Sequence, residues 1–269
     1  MYMRICPVCK QSIVTKGESR FCSSGHAFDR AKEWYMNLLV WHTKKIWDEA
    51  MMVRARRDFL ATWLYMPLVE KIEEIIYEKY KDESICIADF WCGEGRYLRE
   101  IQRKRWQHDT YVWIDISKDA VKYCAKRTSW CFAVGSTYDV PLSDASCDVI
   151  VSIFSPFDEQ EISRCLKTDG IAIIVWPWSE HLYTFIKMIR DTPHKHVLVP
   201  SEEKYSDVQL LQTQQIQVPF SLPTNELVQS LFRMTPYYRK APKVKQDAIL
   251  ALSELDLIAE FIIDVVRKK

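Results

Sequence analysis

Three cysteines and one histidine near the start of the chain have the spacing of a zinc site. Cys6, Cys9, Cys22 and His26 form the pattern C-x₂-C-x₁₂-C-x₃-H. Two close pairs of thiolate and imidazole ligands can surround zinc tetrahedrally, with each pair on its own turn of backbone. These ligands favour zinc over calcium or magnesium. Because the protein supplies all four ligands, no position remains for water, and the pattern predicts a structural zinc, one per chain.

A second group of residues has the pattern of a nucleotide-cofactor loop. The apolar run 85–90 contains Asp89 near its end, and Gly93 and Gly95 follow before a helical segment. Glycine at a strand-to-helix turn lets the backbone approach a ligand closely. Asp115 ends the next apolar run. An acid at that place can accept hydrogen bonds from both ribose hydroxyls of a nucleoside.

Two nucleotide-binding folds compete for this loop. A dinucleotide fold requires G-x-G-x-x-G, and Leu98 occupies the third glycine position here. An S-adenosylmethionine fold requires an acid at the strand end followed by G-x-G, and this pattern fits better. The segments 140–152 and 165–174 agree with it, because they resemble the approach to the fourth strand and the turn before the fifth strand of class I methyltransferases.

Strand-like and helix-like segments alternate along the chain, and this order would place the glycine loop and Asp115 at one edge of a sheet. The predicted strands cover 85–90, 111–115, 131–134, 147–153 and 171–176, and the predicted helices cover 93–103, 117–127, 159–166 and 181–190. Such alternation is typical of a parallel sheet with helices on both faces. The expected fold is therefore α/β: a class I (Rossmann-like) methyltransferase domain with a mostly parallel sheet, plus a small N-terminal zinc-binding module.

The remaining segments have other patterns. Residues 48–80 have helical periodicity that Pro67 interrupts, which predicts two helices. After Pro193 the alternation is lost. There the pattern predicts two antiparallel strands within 208–220, and helices over 226–232 and 247–266.

Composition and charge exclude several classes of protein. Lys and Arg total 37 and Asp and Glu total 36, for a net charge of +1. Binding of nucleic acid by bulk positive charge is therefore excluded, whereas a local basic face is not. The first residues lack an apolar signal region, and the longest apolar runs, such as 171–178, are far shorter than the about 20 residues of a membrane span. We expect a soluble cytoplasmic protein without a membrane partner.

The motifs together resemble the family of 23S ribosomal RNA (guanine-N1)-methyltransferases. The resemblance covers nearly the whole chain and includes the zinc motif with the residues that follow it to Leu39, and the segments 55–57, 65–68, 115–119, 153–156, 181–182 and 234–236. It implies methylation, dependent on S-adenosylmethionine, of N1 of a guanine in a 23S rRNA hairpin loop. It divides the chain into a zinc-binding RNA-recognition module (1–37), a helical linker (38–82) and a methyltransferase domain with a C-terminal α+β extension (83–269).

The resemblance also implies which residues bind the cofactor and the target base. Those expected at S-adenosylmethionine are Tyr65, Asp89, Gly93, Glu94, Gly95, Asp115 and His181. Phe154, Ser155 and Pro156 form the expected target-base pocket, in which Phe154 would stack on the guanine and Ser155 or a backbone carbonyl would orient it. No general base is identified. Asp158 and Glu159 are close in sequence, but acids at a helix start commonly interact with the helix dipole.

The partner implied by the resemblance is 23S rRNA, and a homodimer is left open. Basic clusters that flank the expected cleft would bind phosphates. The candidates are Lys32, Arg54, Arg56, Arg57 and the run Arg103, Lys104 and Arg105. Two other functions stay open: a class I methyltransferase acting on a small molecule, and a zinc-bearing rRNA-binding homologue that has lost methyl transfer.

Tryptophan stands at several positions where the family usually has glycine. These are Trp34, Trp63, Trp91, Trp113 and Trp178, with Trp47 as a further candidate. The chain has 6 glycines and 10 tryptophans, whereas average usage of about 7% would give roughly 19 glycines. Two explanations remain: the source reads UGA codons as glycine, or this homologue has lost its cofactor. Trp91 bears on both, because it takes the first glycine position of the cofactor loop.

Overall fold

The computed structural model describes residues 5–16, 19–40, 50–105, 109–126, 131–195 and 205–269. The strands are β1 (Ile13–Lys16), β2 (Ser19–Cys22), β3 (Ala27–Phe28), β4 (Tyr35–Asn37), β5 (Cys86–Phe90), β6 (Thr110–Asp115), β7 (Cys131–Val134), β8 (Cys147–Ile153), β9 (Leu166–Pro177), β10 (Val208–Leu222) and β11 (Leu255–Lys268). The helices are α1 (Ala50–Leu60), α2 (Met66–Tyr80), α3 (Arg96–Lys104), α4 (Lys118–Ala125), α5 (Glu159–Cys165), α6 (Tyr183–Ile189), α7 (Asn225–Met234), α8 (Pro236–Lys240) and α9 (Lys243–Leu250). Among these helices, none has the length and apolar character of a membrane span.

Eight strands form the central sheet in the order β10-β11-β9-β8-β5-β6-β7-β4. The strands from β4 to β9 run parallel, while β11 is antiparallel to β9 and β10 is antiparallel to β11. The predicted α/β fold with a mostly parallel sheet is confirmed. The chain leaves β5 toward β6 on one side and later returns to β8 on the other. The carboxyl end of β5 is therefore a topological switch point, where open α/β sheets bind ligands.

The central strands are apolar on both faces because helices cover both sides of the sheet. In β5, Ile87 packs into a core that contains Ile72 and Ile76 of α2. The next residue, Ala88, packs on the opposite face into a core that contains Ile162 of α5. Successive side chains of a strand point to opposite faces, so this run of buried residues is consistent with a sheet covered on both sides.

The zinc module, comprising β1 to β3 and the turns around them, packs against the edge of the central sheet. Its strands form a separate antiparallel sheet in the order β1-β2-β3. The following strand β4 pairs in parallel with β7, and the backbone N–H of Ile5 donates to Pro141 O at 3.2 Å. Met36 and Leu38 are buried with Ala133. The division of the chain at residues 37 and 82 stays a prediction.

The C-terminal segment differs from the sequence prediction in two places. The residues predicted as two strands form one long strand, β10. The helix predicted over 247–266 is wrong, because α9 ends at Leu250 and β11 follows. β11 lies between β9 and β10, and eight consecutive residues of it are buried. A continuously buried strand lacks the alternating pattern that separates strands from buried helices.

The helical segment before the sheet breaks where proline predicts. α1 ends at Leu60 and α2 begins at Met66, so Pro67 lies in the first turn of α2. Proline is tolerated there because the first N–H groups of a helix have no partner within the helix. Tyr65 lies between the two helices, at the N-cap of α2, rather than inside a helix.

Candidate active site and metal centre

The four predicted zinc ligands converge in the structure. The ligand atoms of Cys6, Cys9, Cys22 and His26 all lie within 4.8 Å of one another. Cys22 Sγ is 3.4 Å from Cys9 Sγ and 3.3 Å from His26 Nδ1, as expected for donors that share one tetrahedral ion. A hydrogen bond with the side chain of Ser24 is the main cause that lowers the pKa of the Cys9 thiol to about 6, which favours the thiolate that zinc requires. The donor set and its spacing fit a structural zinc.

Two tight turns hold the ligand pairs. The N–H of Lys10 donates to Cys6 O at 2.8 Å, and the N–H of Gly25 donates to Cys22 O at 3.0 Å. Lys10 and Gly25 both have a left-handed backbone, with φ of 61° and 83°. Each pair of ligands therefore lies on its own turn, as the spacing predicted.

A cavity of about 920 Å³ opens at the carboxyl ends of β5, β8 and β9. This volume lies at the upper end of the range for small-molecule sites. The predicted site residues that line it are Tyr65, Asp89, Gly93, Glu94, Phe154, Ser155, Pro156 and His181. Gly95 ends the glycine loop and Asp115 ends the neighbouring strand β6, and neither lines the cavity. Residues predicted from two separate motifs thus share one cavity.

Asp115 stabilises the cofactor loop in the structure. Its side chain is buried, with Oδ2 accepting from the N–H of Gly93 and Oδ1 accepting from the N–H of Ser117, both at 2.7 Å. Gly95 begins α3 with φ of 75°, and a Cβ at this position would lie 2.7 Å from Cys124 Sγ. Gly95 therefore permits α3 and α4 to approach closely. The contact of Asp115 with a ribose stays a prediction.

Two buried acids and one arginine define the charge beside the loop. Burial raises the pKa of Asp89 well above its usual value, and the neighbouring carboxylates of Asp115 and Glu94 add to the shift. Burial also raises the pKa of Glu94, against the opposing effect of Arg56. A Cβ at Gly93 would lie 3.2 Å from Arg56 Nη1, so the guanidinium lies directly against the loop. The sequence pointed to Arg56 for RNA phosphate and missed this position.

Two buried polar atoms in the cavity wall lack hydrogen-bond partners. They are the hydroxyl of Tyr65 and Oε1 of Glu94, each unpaired within the part of the chain that the structure describes. Buried polar groups are normally paired, and an unpaired one is costly. Both residues were predicted to bind S-adenosylmethionine. A polar ligand that supplies the missing partners fits this cavity, so the residues present fit the cofactor.

We expect Tyr65→Phe to separate cofactor binding from stability. The tyrosine ring packs edge-on against Phe59 at 5.0 Å and Phe261 at 5.2 Å, and phenylalanine keeps these contacts. Removing an unpaired hydroxyl should leave the melting temperature of the ligand-free protein unchanged or higher. Affinity for S-adenosylmethionine should fall by roughly 2- to 12-fold, which corresponds to about 0.5–1.5 kcal/mol for one hydrogen bond. Calorimetric titration and a melting curve test both effects. Equal affinity would place the hydroxyl outside the binding interaction.

Phe154 occupies a strained position at the end of β8. Its φ is 54°, in a region that bulky side chains rarely adopt, and its N–H donates to Val175 O at 3.0 Å. Its ring lies 5.5 Å from that of His181 and 5.4 Å from that of Phe261, and 38% of the residue is exposed. Strained residues cluster at functional sites. This position suits an aromatic platform for a base.

The hydroxyl of Ser155 has internal partners. It lies 2.7 Å from Ser152 Oγ and donates to Phe90 O at 3.3 Å. Two groups were predicted to orient the base, this hydroxyl or a backbone carbonyl. Because the hydroxyl already has two partners, the backbone carbonyl is the better candidate. Asp158 caps α5 by accepting from the N–H of Glu161 at 3.0 Å, which is the structural role expected for an acid at a helix start.

The predicted phosphate-binding residues divide into two groups. Lys32 and Arg54 are exposed. Arg105 instead forms an ion pair with Asp109 at 2.6 Å, with side chains only 5% and 3% exposed, so it cannot reach a phosphate and that prediction is wrong. The other paired candidates are Arg57 with Asp58, Arg103 with Glu100, and Lys104 with Glu70.

The strand order, the glycine loop and the convergent zinc ligands define a class I methyltransferase joined to a zinc-binding module. Comparison with known protein families agrees with both parts. A zinc-ribbon family described as "RlmA, N-terminal" matches residues 4–46, and a family described as "Methyltransferase domain" matches residues 87–170.

Curated relatives specify the family. The 23S rRNA (guanine(748)-N(1))-methyltransferase of Streptomyces fradiae is 30% identical over 202 residues, which cover 72% of this chain and 71% of that protein. A Bacillus subtilis protein, YxjB, named provisionally as a 23S rRNA (guanine-N(1)-)-methyltransferase, is 27% identical over 271 residues, covering 95% of this chain and 93% of that protein. The chain belongs to the 23S rRNA (guanine-N1)-methyltransferase family.

Proposed function

We propose that this chain transfers a methyl group from S-adenosylmethionine to N1 of a guanine in a 23S rRNA hairpin loop. The observation that carries the proposal is that one cavity is lined by Gly93 and Glu94 of the glycine loop and also by Phe154. A cofactor held at the loop and a base stacked on Phe154 would share this space. Family membership supports the choice of RNA over a small molecule.

The residues of the cavity suit a base that has left its helix. N1 lies on the Watson–Crick edge of guanine, so the target has to be unpaired or flipped out before it can react. Stacking on an aromatic ring compensates for lost base stacking. The rings of His181 and Phe261 pack against Phe154, and Tyr65 packs edge-on against both of them. Bound S-adenosylmethionine would supply an electrophilic methyl group, so correct positioning of the two reactants accounts for much of the rate.

Methylation of defined RNA tests the proposal. The name of the Streptomyces fradiae relative specifies guanine 748, so the first substrate is an unmodified transcript of the hairpin that contains this guanine. Radiolabelled S-adenosylmethionine measures transfer, and primer extension locates the product because a methyl group at N1 blocks base pairing. The matched control is the same hairpin with adenine in place of the target guanine. The protein carries Trp91→Gly, so that the indole does not limit cofactor binding, and transfer to the control, or no transfer to either RNA, contradicts the proposal.

The outer rim of the cavity offers positive charge for RNA phosphates. Arg190, His194 and Lys240 line the cavity and are exposed. None of these three has an ion-pair partner within the described ranges. Lys195 lines the same rim but pairs with Glu180. We propose that the rim holds the phosphates beside the flipped guanine.

Charge reversal of the rim should weaken RNA binding without affecting cofactor binding. For Arg190→Glu with Lys240→Glu we expect methylation at low RNA concentration to fall about 10-fold or more, and the salt dependence of RNA binding to decrease. Lys118→Glu with Lys187→Glu is the matched control, because it changes the net charge by the same amount and both lysines are exposed outside the cavity lining. A similar loss in the control would show that net charge, rather than the rim, causes the effect.

An enzyme acting on ribosomal RNA would work in the cytoplasm, where ribosomes are assembled. The homodimer that the sequence leaves open stays a proposal. Sedimentation of the purified protein with and without the hairpin measures the state directly.

A further inference from the structure

Half of the described tryptophans have a backbone conformation that favours glycine. The described tryptophans are Trp34, Trp63, Trp91, Trp113, Trp176 and Trp178. Three of these six have positive φ: 73° at Trp34, 68° at Trp63 and 80° at Trp91. Only a few per cent of non-glycine residues have positive φ, and a bulky residue there is an outlier. The glycines of this chain reach similar values, with 83° at Gly25 and 75° at Gly95.

Trp34 and Trp63 lie in turns for which glycine is the ordinary residue. Trp34 closes a turn in which its N–H donates to Ala31 O at 2.8 Å. Glycine is favoured at this last position of a turn. Trp63 lies in the turn between α1 and α2, where its carbonyl accepts from the N–H of Met66 at 2.9 Å. Glycine adopts the left-handed backbone of this position without strain. Both indoles point outward, with Trp34 60% and Trp63 49% exposed. Neither side chain is needed for a core.

Trp91 places an indole in the wall of the cofactor cavity. It begins the loop, and its N–H and that of Cys92 both donate to Ile114 O, at 2.8 Å and 2.9 Å. The backbone is thus held in the left-handed conformation close to Gly93 and Glu94, and the side chain lines the cavity that these residues form. Glycine would adopt this conformation without strain, and the volume that the indole fills would become part of the cavity.

The other tryptophans at family glycine positions differ. Trp113 lies in β6, is 1% exposed and stacks on Phe132 at 4.8 Å. Neither Trp113 nor Trp178 has positive φ. Trp47 lies outside the described residues. The left-handed backbone thus favours glycine at 34, 63 and 91, and the backbone at 113 and 178 has no such preference.

We infer that residues 34, 63 and 91 are glycine in the protein that the source organism makes, and that glycine at 91 opens the cavity to the cofactor. Translation of UGA as glycine in the source accounts for this, if the printed sequence writes each UGA codon as tryptophan, as several variant genetic codes do. A homologue in decay would replace glycines by many residue types, and at positions unrelated to backbone conformation. The inference at 34 and 63 is independent of the proposed function, whereas the effect on cofactor binding at 91 rests on it.

Mass spectrometry of the protein purified from its source tests the residue identities directly. Trypsin yields the peptides 33–44, 58–71 and 82–96, each of which contains one of the three positions. We expect the mass of glycine at all three positions. Tryptophan at any of them overturns the inference. This readout does not depend on methyl transfer, so it separates failure of the inference from failure of the proposed function.

Recombinant proteins test the physical consequence. We expect Trp91→Gly to bind S-adenosylmethionine at least about 10-fold more tightly than the chain with tryptophan at all three positions, since overpacking is removed. Trp34→Gly and Trp63→Gly should each raise the melting temperature by roughly 2–4 °C. Equal binding by the two proteins, or lower melting temperatures for both turn variants, overturns the inference.

Trp176→Gly is the matched control for these variants. Trp176 also lines the cavity, but it lies in β9 with an ordinary strand backbone. Glycine in a strand interior is destabilising, so this variant should melt at a lower temperature. If it instead gains stability and affinity as the other variants do, then the loss of any tryptophan suffices and backbone conformation is not the cause.

Discussion

Replacing Cys9 by serine is expected to remove the zinc and to unfold the zinc module. The strands of this module have only four, four and two residues, and its buried apolar contacts are few. Small modules of this kind depend on the free energy of metal binding, which is about 10–16 kcal/mol for structural zinc in finger peptides. Cys9 Sγ is part of the cluster in which all ligand atoms lie within 4.8 Å, so serine removes one of four donors.

Metal analysis and limited proteolysis measure this prediction. We expect about one zinc per chain in the unaltered protein and rapid cleavage within the zinc module of Cys9→Ser. Cys86→Ser is the matched control, because Cys86 lies in β5 away from the cluster. Cofactor affinity should persist in Cys9→Ser, because the cavity is lined by residues outside the zinc module. A zinc-free protein purified under reducing conditions contradicts the prediction.

Sequence reasoning was most reliable where function depends on close spacing along the chain. The zinc ligands follow from the spacing of two pairs, because a tetrahedral ion restricts the geometry of the turns that present them. Asp89, Gly93 and Glu94 follow from one strand-to-helix loop. At such sites, residues that are close in the sequence are also close in space. The structure brings the four zinc ligands together and places Asp89, Gly93 and Glu94 in the wall of one cavity.

Residues that reach a site from distant elements left no comparable signal. Arg56 lies on α1, and only the packing of that helix places its guanidinium against Gly93. The sequence predicts a helix over most of β11, because a strand that is buried on both faces lacks the alternation of apolar and polar residues that identifies strands. The excess of tryptophan was visible in composition, but composition could not separate Trp91 from Trp113. The sign of φ separates them, and φ depends on the folded backbone.

Replacing Asp115 by alanine is expected to weaken S-adenosylmethionine binding by about 10- to 150-fold, or roughly 1.5–3 kcal/mol. The carboxylate accepts from the N–H of Gly93, which is buried, and from that of Ser117, which is half-buried, so its loss leaves both donors without this partner and loosens the cofactor loop. The predicted bonds to the ribose would be lost as well. Calorimetric titration in a Trp91→Gly background measures the change without interference from the indole. Asp119→Ala is the matched control, since Asp119 is exposed in the first turn of α4.

A comparison of two ligands separates the loop from the ribose as the cause of this loss. S-adenosylhomocysteine and its 2′,3′-dideoxy analogue differ only in the hydroxyls that Asp115 is predicted to bind. If the carboxylate contacts the ribose, the analogue should bind more weakly than the parent ligand to the protein with Asp115, and this difference should largely vanish in Asp115→Ala. Measuring both ligands on both proteins completes a double-mutant cycle, which isolates the pairwise interaction between a side chain and its partner. If the two ligands differ equally in both proteins, Asp115 acts solely through Gly93 and Ser117, and the ribose is bound by other residues.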